Sequence, residues 1–187
     1  MPSEFQKRKL AHLFHTQDLN GDGSLQWEDF RAQAVRMCER QGVALDSPTF
    51  AGIQRKLRMC WQELSDWADS DRDGNVQLKE YIGFYGMLID TSMGTSLRRP
   101  PSWLGAIAED LFDLCDLDGS GHIGLPEFQV FLSAYGANDS QAEEIFNRLD
   151  RDSNGSLDRD EARLIAWEFF IGDDPNDPGN YIFGNLG

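Results

Sequence analysis

The stretch DLNGDGSLQWED, residues 18–29, sets side-chain oxygens at alternate positions through Asp18, Asn20 and Asp22, turns at Gly23 and closes on Asp29. The same pattern recurs without a gap as DSDRDGNVQLKE at 69–80, DLDGSGHIGLPE at 116–127 and DRDSNGSLDRDE at 150–161. An internal repeat of this kind governs the architecture of a chain. Every copy has Asp first, Asp or Asn third, an oxygen side chain fifth, Gly sixth, an aliphatic residue eighth and an acid twelfth.

This spacing meets the needs of a hard cation. Calcium takes six to eight oxygens at roughly 2.3–2.6 Å, and a tight twelve-residue loop brings positions 1, 3 and 5 round one point while position 7 offers its backbone carbonyl. The expected ligands of the first loop are Asp18, Asn20, Asp22, Ser24 and Asp29, and of the second Asp69, Asp71, Asp73, Asn75 and Glu80. Those of the third are Asp116, Asp118, Ser120, His122 and Glu127, and of the fourth Asp150, Asp152, Asn154, Ser156 and Glu161. Because position 7 acts through its carbonyl, His122 need not be an imidazole ligand. Glycine at position 6 permits the positive φ of the sharp turn.

Acid count ranks the loops. The second carries Asp69, Asp71, Asp73 and Glu80, and the fourth Asp150, Asp152, Asp158 and Glu161, whereas the first and third carry three acids each. Calcium is expected at three or four sites. Asp29 sets the first loop apart, because Glu at position 12 reaches in with both oxygens while Asp is a methylene shorter. A single oxygen favours six-coordination, which suits magnesium, so the first loop is expected to discriminate less between the two ions.

Apolar residues at helical spacing flank every loop. Leu10, Leu13 and Phe14 precede the first, and Phe30, Ala34 and Val35 follow it. The gap 31–68 has room for an exit helix, a turn and a long helix leading into the second loop. Helix signals include capping boxes at Ser3/Gln6 and Ser140/Glu143, Ser47 before Pro48, and Gly42, Gly136 and Gly172 at helix ends. The expected fold is all-α: four helix–loop–helix units in two pairs forming one globule, with short β-bridges where Leu25, Val76, Ile123 and Leu157 let paired loops meet. The stretch DTSMGTSLRRPP at 90–101 reads as a linker, giving an N-terminal pair at 1–90, a linker at 91–101, a C-terminal pair at 102–171 and a tail at 172–187.

Other chemistries are disfavoured. A net charge of −15 over 187 residues repels polyanions, so no nucleic-acid partner is expected. The opening MPSEFQKRKLAHLF lacks a secretory apolar run and no segment reads as a membrane span, making the cytoplasm the expected location. Cys38, Cys60 and Cys115 lack metal-ligand spacing and read as free thiols in apolar surroundings. GSGHIG at 119–124 spells a dinucleotide motif but follows DLD instead of a hydrophobic strand. His12, His15 and His122 join no catalytic arrangement, so no enzyme is expected.

With these residues in view the chain resembles the EF-hand proteins of the sarcoplasmic calcium-binding protein and calexcitin family. The resemblance rests on EFQKRKLAHLF before the first loop, on Asp29 at position 12, on the wide first gap, on PPSWLGAIAEDLF before the third loop and on the ending EFFIGDDPNDPGNYIFGNLG. It implies a monomeric protein whose tail folds back onto the apolar surface, with Tyr181, Ile182 and Phe183 as the plug. Such relatives commonly have one degenerate loop, whereas all four here keep the pattern. Three functions fit: a calcium and magnesium buffer, a calcium sensor that opens to a protein partner, and a carrier of an apolar ligand such as a luciferin near Trp61, Trp67, Trp103 and Trp167. Light emission itself is disfavoured, since the resembled photoproteins place His where this chain has Ala166.

Overall fold

Helix α1 (Glu4–Gln17) starts where the Ser3 hydroxyl accepts the Gln6 N–H at 3.1 Å and the Gln6 side chain accepts the Ser3 N–H at 2.9 Å. In the computed structural model, which describes residues 1–92, 94 and 101–186, that helix leads into the first repeat. Helix α2 (Trp27–Gln41) leaves the loop and stops at Gly42, whose φ of 66° is left-handed. Helix α3 (Pro48–Ala68) begins where Ser47 accepts the Phe50 N–H at 3.1 Å, with Pro48 in the first turn where no N–H is needed. The long first gap is thus one exit helix, one turn and one long helix. Helix α4 (Leu78–Thr91) follows the second loop.

The second half repeats the plan with α5 (Ser102–Cys115), α6 (Leu125–Ser133), α7 (Asp139–Leu149) and α8 (Arg159–Phe170), then a 3-10 turn at Pro178–Tyr181. Two expected signals fall elsewhere. The box at α7 is Asn138/Gln141, each side chain accepting the other's N–H at 3.0 Å, and not Ser140/Glu143. Asn caps as well as Ser, and the chain leaving Gly136 (φ 83°) reaches Asn138 first. Gly172 does not end its helix in the left-handed region; a Cβ there would fall 2.6 Å from the Glu168 carbonyl, so close approach explains the glycine. Residues 93 and 95–100 of the expected linker lie outside the described residues. At its edges the Ser92 hydroxyl accepts the Trp103 indole N–H at 3.0 Å.

Each pair of loops is joined by a two-residue antiparallel bridge. Strand β1 (Ser24–Leu25) pairs with β2 (Val76–Gln77), and β3 (Ile123–Gly124) with β4 (Ser156–Leu157), setting Leu25 opposite Val76 and Ile123 opposite Leu157. All four of these side chains are buried. The halves meet where α1 packs on α8 and α2 on α6. All described cysteines are free: Cys38 and Cys115 are buried and Cys60 half-buried.

Residues 171–183 close over the C-terminal half. Phe183 is buried among Phe131, Tyr135 and Phe169, with ring centroids 6.1, 5.0 and 4.9 Å away, and Ile182 is buried beside it. Helix α1 grips this segment with polar side chains: Gln6 donates to the Ile171 carbonyl at 2.7 Å, and a His12 ring nitrogen lies 3.1 Å from the Phe183 carbonyl. Deepest is Lys9, fully buried, whose ammonium donates to the Glu168 and Gly172 carbonyls at 2.7 and 2.8 Å and to the Asn180 side chain at 3.0 Å. A cation from another helix thereby caps the negative C-terminal end of α8. On the far side, Glu168 accepts the Gly179 N–H at 2.8 Å and ion-pairs with Arg151 of the fourth loop.

Burial lowers the Lys9 pKa from 10.5 to about 8, against the opposing pull of Asp173, Asp177 and Glu168. Between these pH values the unfolded chain holds more of the proton, so the Lys9 contribution to stability rises with pH across this window. Lys9→Met leaves three acceptors without a donor and is expected to cost about 2 kcal/mol or more at neutral pH. Denaturant titrations from pH 7 to 11 should show the gap between wild type and variant widening above pH 8.

Candidate metal loops

The four loops share one hydrogen-bond scheme. The Asp at position 1 accepts the position-6 glycine N–H with one oxygen, at 2.9 Å in Asp18, 3.0 Å in Asp69, 2.9 Å in Asp116 and 2.8 Å in Asp150. Its other oxygen accepts the position-5 N–H, at 2.9 to 3.2 Å. The position-5 oxygen of Asp22, Asp73, Ser120 or Asn154 accepts the position-7 N–H. Backbone amides therefore hold the side-chain oxygens inward before any ion is considered. The position-6 glycines have φ between 81° and 87°. Position 4 is left-handed as well: Gly21 and Gly119 suit it, while Arg72 (φ 60°) and Ser153 (φ 57°) bear strain of about 1 kcal/mol each.

The acid at position 12 starts each exit helix. Glu80 accepts the Ser70 and Gln77 N–H groups, Glu127 those of Leu117 and Gly124, and Glu161 those of Arg151 and Asp158, at 2.8 to 3.1 Å. Asp29 makes the same two contacts, from Leu19 at 3.1 Å and Gln26 at 2.9 Å. With a shorter arm it sinks below the loop and is 2% exposed, and burial raises its pKa against those hydrogen bonds. In Glu80 the hydrogen bonds outweigh desolvation and its pKa is lowered.

Carboxylate oxygens converge in three loops among the described residues: Asp69, Asp71 and Asp73; Asp116, Asp118 and Glu127; and Asp150, Asp152 and Glu161, each set within 4.8 Å. Ligands about 2.4 Å from a common ion are at most about 4.8 Å apart, so these oxygen-only sets fit a hard cation. The first loop forms no such carboxylate cluster. There Asn20 stands at position 3, its amide donating to Asp22 at 3.0 Å, and the shorter Asp29 makes its two amide contacts from a buried position. Asp158, counted among the fourth-loop acids, also caps α8, one of its oxygens accepting the Asp160 and Glu161 N–H groups at 2.9 Å. Of the position-7 residues, Ser24 and Ser156 sit in the bridges and Asn75 precedes one, while the His122 side chain is exposed and its carbonyl accepts the Ser120 hydroxyl at 2.9 Å.

A cavity of about 470 Å³ lies between α3, α4 and α5, with Phe183 in its wall and Trp67 and Met87 at its opening. Of the tryptophans singled out in the sequence, Trp67 and Trp103 line it, whereas Trp61 packs on Phe30 at 5.4 Å. Ala166 lines a separate cavity of about 30 Å³ in the C-terminal half. Sequence reasoning missed Gln33 in the large cavity. The signal was present, since Gln33 is a polar residue on the stripe of Phe30, Ala34, Met37 and Cys38.

Paired helix–loop–helix units with oxygen-lined loops define an EF-hand calcium-binding protein. The "EF hand" family model matches residues 10–34 and the "EF-hand domain pair" model residues 108–162. Over 97% of both chains it is 26% identical to the sarcoplasmic calcium-binding proteins I, III and IV of Branchiostoma lanceolatum. It is 26% identical to calerythrin of Saccharopolyspora erythraea over 88% of this chain and 91% of calerythrin. In fold it matches the calcium-loaded apo form of the coelenterazine-binding protein of Renilla muelleri, with a TM-score of 0.75 and 22% identity over 98% of this chain and 99% of that one. The chain is thus similar over nearly its whole length to sarcoplasmic calcium-binding proteins and carries an EF-hand model match in each half.

Two substitutions probe position 12. Asp29→Glu lengthens the arm by a methylene so that both carboxylate oxygens can reach the ion, and should raise calcium over magnesium preference at the first loop in competition titrations. Glu161→Gln should remove one calcium-binding step, or weaken it on the order of tenfold or more, in calorimetry.

Proposed function

We propose that this EF-hand protein is a monomeric calcium and magnesium buffer of the cytoplasm. Its ligands are positions 1, 3, 5, 7 and 12 of the four loops, calcium fills three or four sites, and magnesium rests at the first. The units are the pairs at 1–90 and 102–171, with 172–187 as a tail. What carries this reading is the burial of Ile182 and Phe183, which occupies apolar surface that a sensor would offer to a partner. Sensors of that kind open a methionine-rich groove, whereas Met37 is 1% exposed in the core and Met1, Met59 and Met87 lie at the surface. Four calcium ions would bring the formal charge from −15 to −7, relieving repulsion among the carboxylates.

A second reading, a carrier of an apolar ligand, is favoured by the 470 Å³ cavity, a size within the range of small-molecule sites. The coelenterazine-binding protein is among the structures of like fold.

Calorimetric calcium titration with and without millimolar magnesium, followed in parallel with a hydrophobic dye, separates buffer from sensor. A buffer gives three or four calcium sites, magnesium competition and dye binding that falls as calcium is added. Rising dye binding would establish a sensor, and a melting temperature unmoved by calcium would reject metal-coupled folding.

A further inference from the structure

The large cavity has a polar pattern that ion buffering does not use, and its interpretation rests on the carrier reading above. On the α2 side Gln33 is 1% exposed, and its amide nitrogen has no hydrogen-bond partner among the described residues. A buried unpaired donor costs about 1–3 kcal/mol, which an oxygen on a bound molecule would recover. Gln17, also in the lining, already accepts the Tyr81 hydroxyl at 3.1 Å.

The opening is acidic. Glu63 of α3 and Asp110 of α5 line it, both exposed, and the Asp110 pKa is raised first by partial burial and next by the Glu63 charge. No Lys, Arg or His is among the described lining residues. Lys56 lowers the Asp110 pKa from nearby, but its ammonium is donated to the Asp113 carbonyl. The rings of Tyr81, Tyr85 and Trp103 in the lining suit an aromatic body. An anionic amphiphile such as a fatty acid would meet two carboxylates and no compensating cation.

We propose that the cavity binds an amphiphilic cation, an amine on an aromatic body, with its ammonium at Glu63 and Asp110 and an oxygen acceptor on the Gln33 amide. Three matched fluorescent probes test this on the calcium-loaded full chain: dansylcadaverine, its neutral N-acetyl derivative, and dansyl-6-aminohexanoic acid. Dansylcadaverine should bind about tenfold or more tighter than the neutral probe, and the acid most weakly. The double variant E63Q/D110N should abolish that preference while leaving the neutral probe's affinity unchanged. Gln33→Met should weaken all three probes alike, and E143Q/E144Q, an acidic pair on the surface of α7, should change none. Unaltered calcium titrations of each variant establish that it is folded.

Equal binding of the cationic and neutral probes, or a preference that survives in E63Q/D110N, would overturn the cation and leave the carrier reading standing. Tighter binding of the acid would overturn it too, as would probe affinities untouched by Gln33→Met. Absence of binding by all three would overturn both.

Discussion

Everything else in this protein is arranged around two antiparallel bridges. Strands of two residues have no stability alone. These persist because Leu25, Val76, Ile123 and Leu157 deliver their side chains into the core. The bridge couples position 8 of one loop to position 8 of its partner, so a geometry imposed on one loop is felt in the other. It also fixes where the exit helices begin, because position 12 follows four residues later and each acid there caps its own helix. A metal loop, a bridge and a helix start are one mechanical unit.

Within the loops, amides and acids are matched before an ion arrives. Each position-1 aspartate holds two backbone N–H groups, and the position-12 acid two more, which offsets part of the repulsion among neighbouring carboxylates. The position-12 arm must choose between those amides and the loop centre. Glu127 and Glu161 are long enough to satisfy the amides and still bring an oxygen near the other acids. Asp29 reaches the amides only by sinking into the protein. The longer arm permits both tasks in Glu127 and Glu161, although Glu80, of the same length, joins no such cluster.

Local rules made the loops, their flanking helices and the position-8 pairing legible, because a twelve-residue ligand pattern and helical periodicity are both short-range. The box at Ser140 was misread since an equally good cap stands two residues upstream, a choice made by the turn at Gly136. The cap that Asp158 places on α8 was not legible in an acid count, for carboxylate count carries no direction. Lys9 and Gln33 were passed over although each interrupts an apolar stripe. The periodicity tells that such a residue faces inward; whether it meets carbonyls, as Lys9 does, or an empty cavity, as Gln33 does, depends on helices far away in sequence. The cavity itself has no sequence signature because several helices must pack imperfectly to leave it.

The buried ammonium of Lys9 binds Asn180, 171 residues further along. A ribosome adding about 5–20 residues per second needs roughly 10–30 s to span that distance. Helix α1 can pack on α4, and the first loop can pair with the second, well before that, but the Lys9 ammonium has none of its acceptors until the tail is made. The first metal loop is therefore paired early while its entering helix is fastened to the tail late. During synthesis, ions captured by the early loops would act on a half-fastened scaffold, so the order of emergence makes the nascent chain a different calcium ligand from the finished one.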